Sequence, residues 1–357
     1  MTIVGARPQF IKASVVSRAL KALPGSPVRE ILVHTGQHFA KNMSDVFFDD
    51  LGIARPDFNL GIDSLSHGAM TARMLERLEE LMLSDRPDMV LIYGDTNSTL
   101  AAALAAAKLH IPIAHVEAGL RSFNMRMAEE VNRILADRVS SLLLCPSVLA
   151  ADNLRREGIH EGVHFVGDVM YDAVRVFGAV AEKKAPAGDI VRTPGNYVVA
   201  TVHRAENTAS LERLKNIVAA FKTIGRDTEI VLPLHPRTEK ILDPKTFEEL
   251  KASVHLIEPQ SYTQMLSLQR GARAILTDSG GMQKEAYFHR VPCITLRDET
   301  EWPETVEMGW NRVVGADKEL ILEAWKARDE YSRSLDEEPY GNGYASEKIA
   351  ELIQGTA

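Results

Sequence analysis

Short β-branched runs alternate with helical periodicity from one end of the chain to the other, and nothing else in the sequence constrains the fold as strongly. A strand that is followed by an amphipathic helix returns beside its predecessor in parallel, so repeated units of this kind build open parallel sheets covered on both faces. The expected strands of a first series are 2–4, 30–34, 89–93, 111–116, 141–145 and 164–166, and those of a second are 196–201, 229–233, 254–257, 273–277 and 292–296. Between them Pro8 opens a helix carrying Ile11, Val15, Leu20 and Leu23, while Met70, Met74, Leu78 and Leu81 mark another and the alanine-rich run 99–109 a third. Stripes of this spacing face a core. At 357 residues the chain exceeds the size at which one core keeps growing. The expectation is α/β, with two open parallel-sheet domains, 1–167 and 168–345, facing across a cleft, and a C-terminal helix over 346–357 packing back on the first.

Composition removes several function classes. A net charge of −8 argues against a nucleic-acid partner, because phosphate backbones are bound by concentrated Lys and Arg. No apolar run is long enough to cross a membrane, and the first residues do not read as a signal peptide, so a cytoplasmic protein is expected. Cys145 and Cys293 lie far apart in apolar runs, which reads as two buried free thiols, and no His, Cys or carboxylate set has metal-ligand spacing.

In open parallel sheets ligands bind beyond the carboxyl ends of the strands, so the residues that follow each strand are the candidates. In the first series these are Arg7, the run Thr35 to His38, Asp95 and Glu117. Asp95 has a plain alternative as the N-cap of the alanine-rich helix. Glu117 precedes Ala118 and Gly119 and has no helix to cap. Glu129 starts a helix, where it either complements the dipole and pairs with Arg133 or joins the other two carboxylates. If the three converge, repulsion and burial raise at least one pKa, leaving an acid beside a base for two-way proton transfer. The second series adds His203 with Arg204, and His235 with Arg237. The strand 273–277 ends in Asp278-Ser279-Gly280-Gly281 before a helical run, a turn that offers backbone N–H groups to a phosphate, and Glu285 one turn on suits ribose hydroxyls. A nucleotide diphosphate fits this set.

Nine ordered segments, GARPQFIK (5–12), HTGQH (34–38), GDTNSTL (94–100), HVEAGLRS (115–122), EEVNR (129–133), VHRAEN (202–207), IEPQSY (257–262), LTDSGGMQKEA (276–286) and LRDETEWPE (296–304), resemble the non-hydrolysing UDP-N-acetylglucosamine 2-epimerase family. The resemblance implies the GT-B fold of two Rossmann-like domains, no cofactor and a homodimer. It also implies that C2 of UDP-GlcNAc is inverted to give UDP-ManNAc for bacterial surface polysaccharide. UDP leaves across C1 and C2, an enclosed 2-acetamidoglucal forms, and UDP returns with the proton on the other face. It matches Asp95, Glu117 and Glu129 to the proton-transfer carboxylates and His203 to the histidine at the diphosphate. Arg7, Lys12, His38 and Arg133 fall in the substrate site of the first domain, and Arg204, His235, Gln260, Met265, Ser279, Gly280, Gly281 and Glu285 in that of the second.

Departures from the family pattern stand out. Ala128 replaces the proline before the paired glutamates, Met265 replaces an aromatic at the uracil, Trp302 replaces an arginine, and the run 60–70 lacks a glutamine-bearing segment tied to activation by substrate. These changes resemble a subgroup acting on UDP-2,3-diacetamido-2,3-dideoxyglucuronic acid, which stands as the alternative substrate. A GT-B glycosyltransferase or a non-catalytic nucleotide-sugar sensor would share the fold and the UDP site but would not place solvent deuterium at C2.

Overall fold

The computed structural model describes residues 1–25, 28–37, 54–184, 186–234, 242–330 and 338–356. It divides into two compact units, one of Met1–Arg175 with Glu338–Ala357 and the other of Val176–Glu337.

The first unit holds strands β1 (Thr2–Val4), β2 (Leu32–His34), β3 (Phe58–Asn59), β4 (Val90–Tyr93), β5 (Ile113–Val116), β6 (Leu142–Cys145) and β7 (Val163–Phe165). Its helices are α1 (Arg7–Ala22), α2 (His67–Asp85), α3 (Asn97–Lys108), α4 (Ala128–Val139) and α5 (Val148–Arg156), and α6 (Val169–Lys184) begins in it. The strands form one sheet in the order β3-β2-β1-β4-β5-β6-β7, with parallel pairing throughout. Because β1→β2 and β4→β5 run in opposite directions along the sheet, right-handed crossovers put α1 and α3 on opposite faces.

Met70, Met74 and Leu78 of the stripe read from sequence form the buried face of α2, with Met82 in the fourth place and Leu81 only partly buried beside it, and they pack with Ile3, Val33, Val90, Ile92 and Ile113. Burying each of the larger side chains contributes roughly 1.5–3 kcal/mol before entropy is counted. The alanines of α3 (Ala101, Ala102, Ala103, Ala105, Ala106) are fully buried, since a helix covered on several sides has room only for methyl groups.

The second unit holds β8 (Tyr197–Thr201), β9 (Glu229–Pro233), β10 (His255–Ile257), β11 (Ile275–Thr277), β12 (Cys293–Thr295) and β13 (Asn311–Val313), in the sheet order β10-β9-β8-β11-β12-β13, again parallel. Its helices are α7 (Ala205–Thr208), α8 (Leu211–Ile224), α9 (Pro244–Ser253), α10 (Tyr262–Arg270), α11 (Gly280–Phe288), α12 (Pro303–Glu307) and α13 (Lys318–Ala327). Leu214, Ile217, Val218 and Phe221 of α8 cover one face with Ile230 and Leu276, and Leu268, Met282 and Ala286 cover the other with Val199 and Ile275. Cys145 and Cys293 are buried free thiols.

The last helix, α14 (Ala345–Thr356), belongs to the first unit and lies beside α1. Its start is held by Asp172 of α6, whose buried carboxylate accepts from the N–H groups of Ala345 (3.0 Å) and Ser346 (2.7 Å). Two edge strands were not legible: β3 is two residues long, and β13 reads Asn311-Arg312-Val313 with no apolar run, its register held by pairing with β12.

The turn after β1 needs a residue without a side chain. A Cβ at Gly5 would stand 2.1 Å from Ser98 Oγ and 2.4 Å from Thr35 Oγ1, which hydrogen-bond each other at 2.8 Å. Gly5→Ala is expected to lower unfolding free energy by about 1–3 kcal/mol through overpacking. Urea denaturation checks this, and an unchanged midpoint would show that the loops part without cost.

Candidate active site

The strand order of each sheet reverses once, between β1 and β4 in the first unit and between β8 and β11 in the second. Diverging helices open a crevice at such a point, so the loops after these strands are where a ligand is taken. In the first unit Gln9 ties the two loops together. Its Oε1 accepts from the N–H groups of Gly5 (2.8 Å) and Ala6 (3.0 Å), and its Nε2 donates to Tyr93 O (2.6 Å) and Thr96 Oγ1 (3.0 Å). Arg7, the first residue of α1, is half-buried beside this knot.

Asp95 is not the N-cap of α3. Thr96 takes that place and accepts from Thr99 N–H, leaving the Asp95 carboxylate to pair with Arg133 of α4. Glu117 follows β5 with φ +70°, a left-handed conformation that costs a non-glycine residue roughly 1–3 kcal/mol and concentrates at functional sites. Gly94 is also left-handed, at +61°, and a Cβ there would stand 3.3 Å from Glu117 Oε2, so this carboxylate lies over the turn that carries Asp95. Glu117 is buried and paired with Lys12 of α1.

A third cation sits below. His115 is fully buried, with Nδ1 2.7 Å from Asp137 Oδ1 and Nε2 2.7 Å from Gly94 O. Both partners only accept, so both ring nitrogens must donate and the ring is an imidazolium. Burial opposes that charge, but the hydrogen bond and charge of Asp137, the Gly94 carbonyl and Glu117 outweigh it and raise the His115 pKa. Asp137 also accepts from Gly119 N–H (3.1 Å) and Arg121 (2.7 Å), and Arg121 forks onto Glu157.

Glu129 stands exposed in the first turn of α4, with no hydrogen bond or ion pair to the described residues. The expected pair with Arg133 is not made. Arg133 reaches Asp95 and Glu130 instead, since these lie on the buried side of the helix where its guanidinium is enclosed. Glu130, missed by the sequence reading, accepts from Ser122 N–H (2.9 Å) and Phe123 N–H (2.8 Å), and these bonds hold its carboxyl below the usual range against the opposing effect of burial. Asn132 donates to Asp95 O at 2.9 Å. Thus α4 clasps the Asp95 loop and carries Glu129 on the same turns.

In the second unit His203 and Arg204 follow β8, and Asp278 to Gly281 follow its neighbour β11. Ser279 is the N-cap residue of α11, but its hydroxyl makes no capping bond. Gly280 and Gly281 open the helix, whose first N–H groups have no partner within it and carry partial positive charge. A Cβ at Gly280 would lie 3.9 Å from Arg204 Nη2, which places that guanidinium at the same helix end. Trp302 donates from Nε1 to Gly280 O (2.9 Å), and Lys284 Nζ stands 4.0 Å from its ring centroid, so the indole braces the turn. Glu285 is buried one turn along and accepts from Gln269 Nε2 at 2.7 Å.

Met265 is half-buried against the core cluster beneath β11 and α11, and Gln260 donates to Glu258 O at 2.6 Å just before α10. His38, His235 and Arg237 lie outside the described residues. The first unit therefore presents Asp95 and Glu117 paired with cations and Glu129 unpaired among the described residues, and the second presents a helix start suited to a phosphate ester.

The family model described as UDP-N-acetylglucosamine 2-epimerase matches residues 21–354. UDP-2,3-diacetamido-2,3-dideoxy-D-glucuronate 2-epimerase of Pseudomonas aeruginosa is 49% identical over 359 residues, covering 99% of this chain and 98% of that relative. UDP-N-acetylglucosamine 2-epimerase of Methanocaldococcus jannaschii is 43% identical over 360 residues, covering 98% of this chain and 97% of the relative. The crystal structure of the M. jannaschii UDP-GlcNAc 2-epimerase in complex with UDP-GlcNAc and UDP matches with a TM-score of 0.87 at 42% identity, covering 99% of each chain. The chain belongs to the UDP-N-acetylglucosamine 2-epimerase family and is an isomerase of that family.

Because the folded His115 pKa is raised, the stabilisation from its charge is full below the unfolded value of about 6.5 and fades as pH rises through the folded one. The stability difference between wild type and His115→Gln, measured in urea across pH 6 to 10, is expected to shrink with rising pH. Parallel profiles would mean that the ring is neutral and the two acceptors mismatched.

Proposed function

We propose that the protein inverts C2 of a UDP-2-acetamido sugar by elimination and re-addition of UDP. The C2 hydrogen is not adjacent to a carbonyl, so its removal must be coupled to departure of the diphosphate. The C2–H bond breaks to a carboxylate, its electron pair becomes the C1–C2 π bond, and the C1–O pair leaves with UDP. Protonation of C2 on the opposite face and attack of UDP oxygen on C1 restore the sugar with inverted C2. Asp95, Glu117 and Glu129 handle the proton in this reading. His203, Arg204, Ser279 and the N–H groups at the start of α11 receive the diphosphate charge, with Glu285 toward the ribose. Arg7 and Lys12 supply cations in the first unit.

The observation that carries the reading is the pair of carboxylates Asp95 and Glu117 at neighbouring strand ends, each with a cationic partner. A glycosyltransferase needs one base for its acceptor and has no use for such a set. Of the two hexoses, UDP-2,3-diacetamido-2,3-dideoxyglucuronate is favoured by the whole-length relative at 49% identity and by Trp302 in place of an arginine. UDP-GlcNAc is the second reading, favoured by the M. jannaschii enzyme at 43%. Either product would feed bacterial surface polysaccharide.

Incubation in D₂O with each UDP-sugar, followed by NMR at C2, tests both. Deuterium is expected at C2 of the uronate pair; label only with UDP-GlcNAc reverses the substrate order, and label with neither rejects the epimerase. Glu117→Gln is expected to lower exchange by about 10²–10⁴-fold, the usual worth of a positioned acid or base, with UDP binding kept. Undiminished exchange would remove Glu117 from the mechanism.

A further inference from the structure

Asp278 is fully buried beside a helix end suited to phosphate, where a carboxylate opposes an anionic ligand unless its charge is spent elsewhere. It is spent on the neighbouring loop. His203 N–H lies 3.1 and 3.0 Å from its two oxygens, and Oδ2 also accepts from Arg204 N–H (3.0 Å) and Asn207 Nδ2 (3.1 Å). Asn207, itself buried, is anchored by a second bond to Leu296 O at 2.9 Å. The His203 ring returns toward the same carboxylate, with Nδ1 3.3 Å from Oδ1, while about half of the side chain stays exposed.

We propose that Asp278 is a positioning residue that holds His203 with its proton on Nδ1 and its Nε2 turned outward. A buried carboxylate only accepts, so the approach of Nδ1 is favourable only when that nitrogen carries hydrogen. The neutral ring then has its lone pair on Nε2. When Nε2 takes a proton it becomes a donor to a diphosphate oxygen, and the Nδ1–H stays with Asp278. This rests on the epimerase reading for the identity of the ligand, but the tautomer itself does not.

The test is ¹⁵N NMR of the ligand-free protein, with the His203 signals assigned by His203→Gln. The neutral ring is expected to be protonated on Nδ1 in wild type. In Asp278→Asn the amide can donate to Nδ1, so the tautomer is expected to reverse. With it kcat is expected to fall by about 10²–10⁴-fold, the scale of a mis-set catalytic histidine, while KM changes little. A wild-type ring protonated on Nε2 overturns the proposal, as does Asp278→Asn with wild-type kcat. If that variant does not fold, the wild-type spectrum alone decides. Failure of the wild type to turn over either UDP-sugar would reject the epimerase reading and leave the tautomer result to stand or fall alone.

Discussion

Loops that carry candidate reactive side chains are tied down by buried carboxylates that accept backbone N–H groups. Asp278 takes those of His203 and Arg204, Glu130 those of Ser122 and Phe123, and Asp137 that of Gly119. A loop has no ladder or helix to satisfy its amides, and each one left buried without a partner costs about 1–3 kcal/mol. An ionised carboxylate meets two or more at once, with bonds stronger than a neutral acceptor provides. Its own burial is offset by those donors and by nearby cations such as Arg133 and Arg121. Removing such a carboxylate frees a loop and strands its N–H groups together.

The two units use this device for opposite electrostatic ends. In the first, the charges that hold the loops in place include cations under or beside the candidate acids: His115 below Gly94, Lys12 on Glu117 and Arg133 on Asp95. Carboxylates gathered at one sheet edge repel, and the cations paired with Asp95 and Glu117 offset that repulsion. In the second unit Asp278 is fully buried and the His203 ring is exposed, while the half-buried Arg204 shares the start of α11 with Glu301. The Asp278 carboxylate is turned toward the N–H groups of the His203 loop, which leaves the His203 ring and the first N–H groups of α11 as donors there.

Strand ends were legible because parallel sheets bury their strands on both faces and leave polar residues only where the chain emerges. Asp95, Glu117, His203 and the turn at Ser279 stand out for that reason. The division of labour within the Glu129–Glu130 pair was not legible. Adjacent residues on a helix point about 100° apart, so which one is buried depends on what packs against α4. Trp302 read as the loss of a cation, yet it braces the Gly280 carbonyl, a contact between segments 22 residues apart. Asp278 read as part of a turn because its partners lie more than 70 residues away.

By itself the amino-acid sequence determined the parallel α/β architecture, the two strand series, the family and the residues at the strand ends, because hydrophobic period and local turn chemistry are properties of neighbouring residues. Tertiary structure alone decided which charges meet: His115 with Asp137, Lys12 with Glu117, Arg133 with Asp95 and Asp278 with the His203 loop. Asp278 and His203 follow β11 and β8, which are neighbours because the strand order reverses there, while the other contacts bring α1 and α4 onto β5 and the turns after β4 and β5.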